Sequence, residues 1–332
     1  MLNEFLIRAS GDGTDSWWNQ WNPLLQHEGY PPNVVPSDHP TLDAASAGAE
    51  IAFFFIAGAA AVILALPWAV RAVAKHRNWM PVIVLLGGLV CSLEEAMLDM
   101  LGHLHWAPNL QKVYTNFGVS VPLLIPLCYV AFLGMMSYFC YFVIRNGARL
   151  RHYFMLLAMG GILDAFMETI GINLGVYKYY GFQPFEFLNF PYWWAFINSA
   201  SFVAVGTILA YFVPRLQGRK KWILVMAPSY GMAGTYFTVG WIHLLAHNSG
   251  LPHWVRLIAA ALMMAEACFY MVILHHFLGR KADEPALNWT LGRMFLYPVL
   301  PPSRRAALWA RMEQEGGVSI DLDRQIRETV AA

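Results

Sequence analysis

The stretch MPVIVLLGGLVCSLEEAMLDMLG, Met80 to Gly102, has the length and apolar content of a membrane-crossing helix, yet it carries Glu94, Glu95 and Asp99. A span needs about 20 predominantly apolar residues. A carboxylate in hydrocarbon costs several kcal/mol unless it is paired, hydrogen-bonded or protonated. Glu95 and Asp99 are spaced i, i+4 and so project from one helix face. A second pair with the same spacing, Asp164 and Glu168, stands in another apolar run. Carboxylates placed at this cost in two segments point to function.

The rest of the chain agrees with a membrane setting. Of its 332 residues, 58% are hydrophobic and 13% charged, against about 25% charged in an average soluble domain. A net charge of +1 gives no electrostatic basis for binding nucleic acid. Cys91, Cys128, Cys140 and Cys268 fall within apolar segments at no ligand spacing, and read as reduced packing residues. Met1 to Ser10 is too short and too mixed to read as a cleavable signal.

Seven apolar runs predict seven spans: Ile51–Val73, Met80–Gly102, Val121–Ile144, Tyr153–Ile172, Trp193–Val213, Trp222–Leu245 and Val255–Leu278. The predicted fold class is therefore all-α, a polytopic seven-transmembrane-helix bundle over 49–280. Arg71, Lys75 and Arg77 fill the first connection, Arg145, Arg149 and Arg151 the third, and Arg215, Arg219, Lys220 and Lys221 the fifth. The even connections hold only Lys112, Lys178 and Arg256. The positive-inside bias thus places the odd loops and the tail 281–332 in the cytoplasm, and the N-terminal tail 1–48 outside. Trp17, Trp18 and Trp21 suit the outer headgroup zone. Ser303–Glu315 predicts either a helix lying amphipathically on the inner surface or a solvated tail.

Orientation gives depth. The second and fourth spans run outward, so Glu95 and Asp164 lie near the middle, with Asp99 and Glu168 one turn further out. Glu266 on the seventh span returns to a similar level, Asn198 enters from outside on the fifth, and His243 and His247 end the sixth. His103 continues the stripe of Glu95. These positions predict a polar cavity in the outer half of the bundle. Glu94 points about 100° from Glu95, so one of the two faces it. For Glu266 the alternative is a helix-gluing hydrogen bond. His243 and His247 have metal-compatible spacing but read as interfacial or hydrogen-bonding residues, and no metal or other cofactor is assigned. Tyr177, Tyr179, Tyr180, Tyr192, Trp193 and Trp194 crowd the loop Gly175–Asn198, either as an aromatic belt or as a cavity lid.

A carboxyl pair sharing one proton supplies both an acid and an anion. The acid can protonate an alkene, carbonyl, hydroxyl or epoxide, and the anion can stabilise the resulting cation and later remove a proton. That chemistry suits cyclisation, dehydration or isomerisation of a lipophilic substrate. The last span has no core lysine for a retinal Schiff base. Glu94-Glu95-x3-Asp99 lacks the cations that accompany a diphosphate site, and no nucleotide fingerprint occurs.

With these motifs in place, SLEEAMLDMLG (Ser92–Gly102), DAFMETIGINLGVYKYYGFQP (Asp164–Pro184) and FPYWWAFIN (Phe190–Asn198) resemble the AveC-like spirocyclase family of bacterial membrane proteins. The resemblance covers about Glu50 to Gly279. It implies a bacterial cytoplasmic membrane protein that closes a polyketide dihydroxy-ketone into a spiroketal. The expected roles rest on the physics of the residues: Asp164 and Glu168 as proton donor and partner, Glu95 and Asp99 as proton-sharing or cation-stabilising groups. Glu94, Tyr180, Trp193, Trp194, Asn198, His243 and Glu266 would contact substrate. The alternatives are a terpene or carotenoid cyclase, a double-bond isomerase, or, in another class, a proton-coupled transporter or ligand-binding receptor. Visible inverted repeats and broken helices would favour transport; the sequence shows neither.

Overall fold

A computed structural model describes residues 44–320; the tryptophans at 17, 18 and 21 and the last dozen residues lie outside the described residues. Among the described residues, five helices are long and apolar enough to cross a membrane. They are α2 (Met80–Gly102), α3 (Leu124–Arg145), α4 (Leu150–Asn173), α5 (Trp193–Phe212) and α8 (His253–Leu278). The first predicted span is a continuous helical segment, α1, made of Ala47–Ala59, a π-helical turn Ala60–Ala65 and Leu66–His76. Pro67 explains that turn: its ring would clash with the carbonyl four residues back, and a wider turn relieves the clash.

The sixth predicted span differs most from expectation. It is broken into a 3-10 segment Gly218–Met226, a helix α6 (Ala227–Thr238) and a short helix α7 (Trp241–His247). Thr235 and Thr238 donate their hydroxyls to the carbonyls of Gly231 and Gly234 at 2.7 and 2.6 Å. Such back-bonding bends a helix, and Val239 and Gly240 then complete the interruption. Hydropathy reads straight through the break because every piece is apolar.

Three short antiparallel ribbons add strand to the expected all-helical chain. Strands β1 (Leu104–Trp106) and β4 (Tyr177–Tyr179) pair Trp106 with Tyr177 and tie the end of α2 to the end of α4. Strands β2 (Lys112–Asn116) and β3 (Val119–Pro122) close on Phe117 and Gly118, both at positive φ, as a two-residue hairpin of that hand requires. This pairing delays the third helix to Leu124, three residues after its predicted start. Strands β5 (Glu186–Phe187) and β6 (Phe190–Pro191) turn in the same way on Leu188 and Asn189.

Helix α5 is the hub, packing on α3, α4, α6 and α8. In its most apolar window 72% of residues are buried, against 33% for α8, which is the most exposed of the five. Helix α2 packs on a second π segment, Val130–Met136 of α3, and on α6.

Of the two expectations for Ser303–Glu315, the structure shows the helix rather than the solvated tail, and the segment after α8 packs against the bundle. Helices α9 (Leu291–Val299) and α10 (Pro302–Gly316) fold back onto the arginine-rich end. Trp289, Tyr297 and Trp309 pack around Phe142 of α3. Arg149 donates to the Glu284 carbonyl and Arg151 to Asn288. Glu315 accepts from Arg293 at 2.6 and 3.0 Å and from Arg311 at 2.8 Å. These donors, Arg293 foremost, then Arg311 and Asn288, hold its carboxyl down at about 2 from an ordinary 4.5. A depressed value means that this ion pair supports docking above about pH 4.5 and that the support fades as pH falls toward 2. Tryptophan fluorescence should therefore report α10 docking unchanged from pH 7 to 5 and weakening below about 4.5. Glu315→Gln should abolish that pH dependence, and high salt should blunt it, because the pair is part-exposed.

Candidate functional site

The ends of α2 and α4 converge on a cavity of about 90 Å³, room for several water molecules. Glu95, Asp99, Asp164 and Glu168 all line it. So do Phe53 of α1, Tyr129 and Cys128 of α3, Trp194 and Asn198 of α5, Tyr236 of α6, and Trp106 and Tyr177 from the ribbon. Among the described residues that line the cavity there is no Lys, Arg or His. Four carboxyl groups therefore share a small, aromatic-walled volume with neutral donors and, among the described residues, no cation.

Local structure aims each acid. Ser92 donates its hydroxyl to the Leu89 carbonyl at 2.7 Å, and a 3-10 turn, Ser92–Glu94, interrupts α2 just before Glu95. Tyr114 of β2 donates to the Ser92 carbonyl at 2.6 Å, fastening the turn from outside. The Tyr129 hydroxyl, at the edge of the π segment in α3, donates to Glu95 Oε2. The Trp106 indole N–H donates to Asp99 Oδ2 at 2.7 Å. Asn198 Nδ2 donates to both Asp164 oxygens at 3.1 Å, and the Tyr236 hydroxyl donates to Asn198 Oδ1. Tyr236 thereby fixes which end of the Asn198 amide faces the acid. Tyr179 donates to Glu168 Oε2 at 3.0 Å and Tyr177 to the Glu168 carbonyl at 3.3 Å. Tyr177 comes that close because Gly171 leaves its flank open; a Cβ there would lie 2.6 Å from the tyrosine oxygen.

Several residues named from the sequence lie elsewhere. Helix α2 ends at Gly102, and His103 adopts a left-handed conformation, φ 58°, which turns its ring off the stripe of Glu95. It stacks on Tyr180 at 5.0 Å and meets the ring of His247 at 4.1 Å. Tyr180 is thus outside the cavity wall. In β4 alternate residues face inward, which selects Tyr177 and Tyr179, and Tyr180 falls one step past them. His243 lies behind Trp193, its ring 4.2 Å from the indole, and Trp193 stacks on Trp194 at 4.4 Å. Consecutive helical positions diverge by about 100°, so Trp194 reaches the cavity and Trp193 backs it. Glu94 turns away toward α6. Glu266, half-buried on α8, does not line the cavity, because α8 packs behind α5.

The site also uses residues the sequence reading passed over: Trp106, Tyr129 and Tyr236. Each is an aromatic with a polar tip inside an apolar or irregular stretch, a pattern that is common in any membrane protein. The nearest usable signal was the pairing of a polar aromatic with an intramembrane acid, which needs the fold to be seen. Among the described residues, no three His, Cys, Asp or Glu side chains are grouped to hold a metal ion.

No protein-family model, curated protein or solved structure matches the chain.

Proposed function

We propose that this chain is an integral membrane enzyme that uses acid–base catalysis on a lipophilic substrate, forming and quenching a cation in the carboxyl-lined cavity. The observation that carries this reading is the convergence of four carboxyl groups, from two helices, on one cavity with no counter-cation among the described residues. Like charges so confined do not all ionise together, so the site holds both an acid and an acceptor. One substrate hydroxyl adds to the ketone carbon to give a cyclic hemiketal, its proton passing to the carbonyl oxygen. Protonation of that hemiketal hydroxyl breaks its C–O bond, and water leaves with the bonding electrons while the ring oxygen shares the positive charge. A second hydroxyl attacks the resulting oxocarbenium ion, and its proton returns to a carboxylate. Trp106, Trp194, Tyr129 and Tyr177 offer ring faces to the positive charge.

Dehydrative ring closure of this kind is what resemblance to the AveC-like spirocyclases implies, with a polyketide as substrate. Terpenoid cyclisation or double-bond isomerisation would use the same groups. On this reading α1 and the broken sixth segment complete seven spans in a bacterial cytoplasmic membrane. The N-terminus is then outside, and α9 and α10 lie on the cytoplasmic side.

One observation favours a second reading, proton-coupled transport: the interruption between α6 and α7, since transporters build their sites on broken helices. Comparative mass spectrometry of lipid extracts from the native bacterium, intact and deleted for this gene, separates the two. Accumulation of a compound one water heavier than a lost product supports dehydration, and an isomer supports cyclisation or isomerisation. An unchanged metabolite profile with the protein expressed defeats the enzyme reading and directs the work to proton-linked uptake.

A further inference from the structure

Among the described residues that line the cavity, the acidic groups are all carboxyls and no basic side chain stands beside them. Glu95 and Asp99 each spend one carboxyl oxygen on a neutral donor, Tyr129 and Trp106 respectively. Their other oxygens accept no hydrogen bond among the described residues. Asp99 is only 3% exposed and lines the cavity. Asp164 and Glu168 add their carboxyl groups, and the rest of the wall is largely aromatic. Carboxylates and ring faces attract the same kind of ligand, one with positive charge.

The spread of these groups selects among cations. Among the described residues no three of these groups stand together to hold a metal ion, so the carboxyls line a volume instead of meeting at a point, and whatever charge they carry faces it from several sides. A metal ion needs short bonds to one centre. An alkylammonium spreads its charge over the surrounding methyl or methylene groups and is satisfied by carboxylates and π faces at van der Waals distance.

We propose that this cavity binds an organic ammonium ion, a small hydrophobic tertiary or quaternary amine. The site needs no turnover to do so, and the inference holds for an enzyme or a transporter alike. In an enzyme such an amine imitates the charge and shape of the cationic intermediate and acts as an inhibitor.

The test uses the full chain in detergent and a matched pair of probes, benzyltrimethylammonium and its uncharged carbon isostere neopentylbenzene. Binding is read by calorimetry and by the fluorescence of Trp106 and Trp194. The ammonium is expected to saturate the site and to bind at least about tenfold more tightly than the isostere. Glu95→Gln and Asp99→Asn should each weaken the ammonium by roughly tenfold and leave the isostere unchanged. Equal binding of the two probes, or no saturable binding of the ammonium, overturns the proposal on the unaltered protein, whatever the variants do. Ammonium binding with unchanged lipid extracts would keep this site and defeat the cyclase reading. Altered extracts without ammonium binding would do the reverse.

Discussion

Asp164→Asn is expected to lower product formation by about 10²- to 10⁴-fold, the range carried by a single proton-transferring group, while the protein stays folded. Asp164 is buried, at 2% exposure, and both of its oxygens accept from the Asn198 amide. Asparagine keeps the shape of aspartate but replaces one acceptor with a donor, so one N–H now confronts the Asn198 Nδ2. It also removes one of four crowded acids from a cavity that shows no cation among the described residues. The first change costs on the order of 1–3 kcal/mol for a mismatched buried polar contact. The second relieves like-charge repulsion, so the two stability effects oppose each other. The melting temperature of the variant should accordingly stay close to that of the parent, while turnover falls. Rates of product accumulation and melting of the purified proteins check the two halves separately. A variant that melts normally and retains more than about a tenth of the activity would remove Asp164 from proton transfer and leave Glu95, Asp99 and Glu168 to divide it.

The two carboxyl pairs were legible in the sequence because helical spacing and apolar surroundings suffice to single them out, and the structure places all four acids on one cavity. Their neutral partners were not legible. Tyr129 reaches Glu95 across 34 positions, and Tyr236 reaches Asn198 across 38; nothing local to either tyrosine distinguishes it from a packing residue. Trp106 and Tyr177 meet through a ribbon joining segments that hydropathy treats as separate loops. The helical periodicity that correctly aligned Asp99 under Glu95 failed four residues later at His103, where the left-handed residue ends α2. The break between α6 and α7 stayed hidden for a different reason. Thr235 and Thr238 bond back to carbonyls just before it, and a hydropathy window records only their mild polarity. The docking of α10 turns on Trp309 and Met312, two buried residues in an otherwise polar stretch, too few to outweigh its charge.

Gly88→Ala should be strongly damaging to the bundle. Gly88 lies on α2 where that helix crosses the π segment of α3. A Cβ there would fall on the Tyr129 carbonyl oxygen and lie 2.9 Å from the Gly134 amide nitrogen. Both obstacles are backbone, so no rotamer change makes room, and the two helices must separate. Overpacking of a core by one or two methylenes typically costs 1–3 kcal/mol. A collision with main chain on both sides belongs at or above the upper end, about 3 kcal/mol. The displaced segment carries Tyr129, whose hydroxyl holds Glu95, so the damage reaches the cavity as well as the packing. Thermal unfolding in detergent should show a clear fall in melting temperature, accompanied by loss of activity. Gly234→Ala is the matched control. It is also helical, but nothing lies within 4 Å of the added Cβ, and replacing glycine by alanine inside a helix should stabilise by roughly 0.5–1 kcal/mol. If Gly88→Ala melts with Gly234→Ala, helices α2 and α3 do not pack closely at this crossing, and the Tyr129–Glu95 contact loses its structural support.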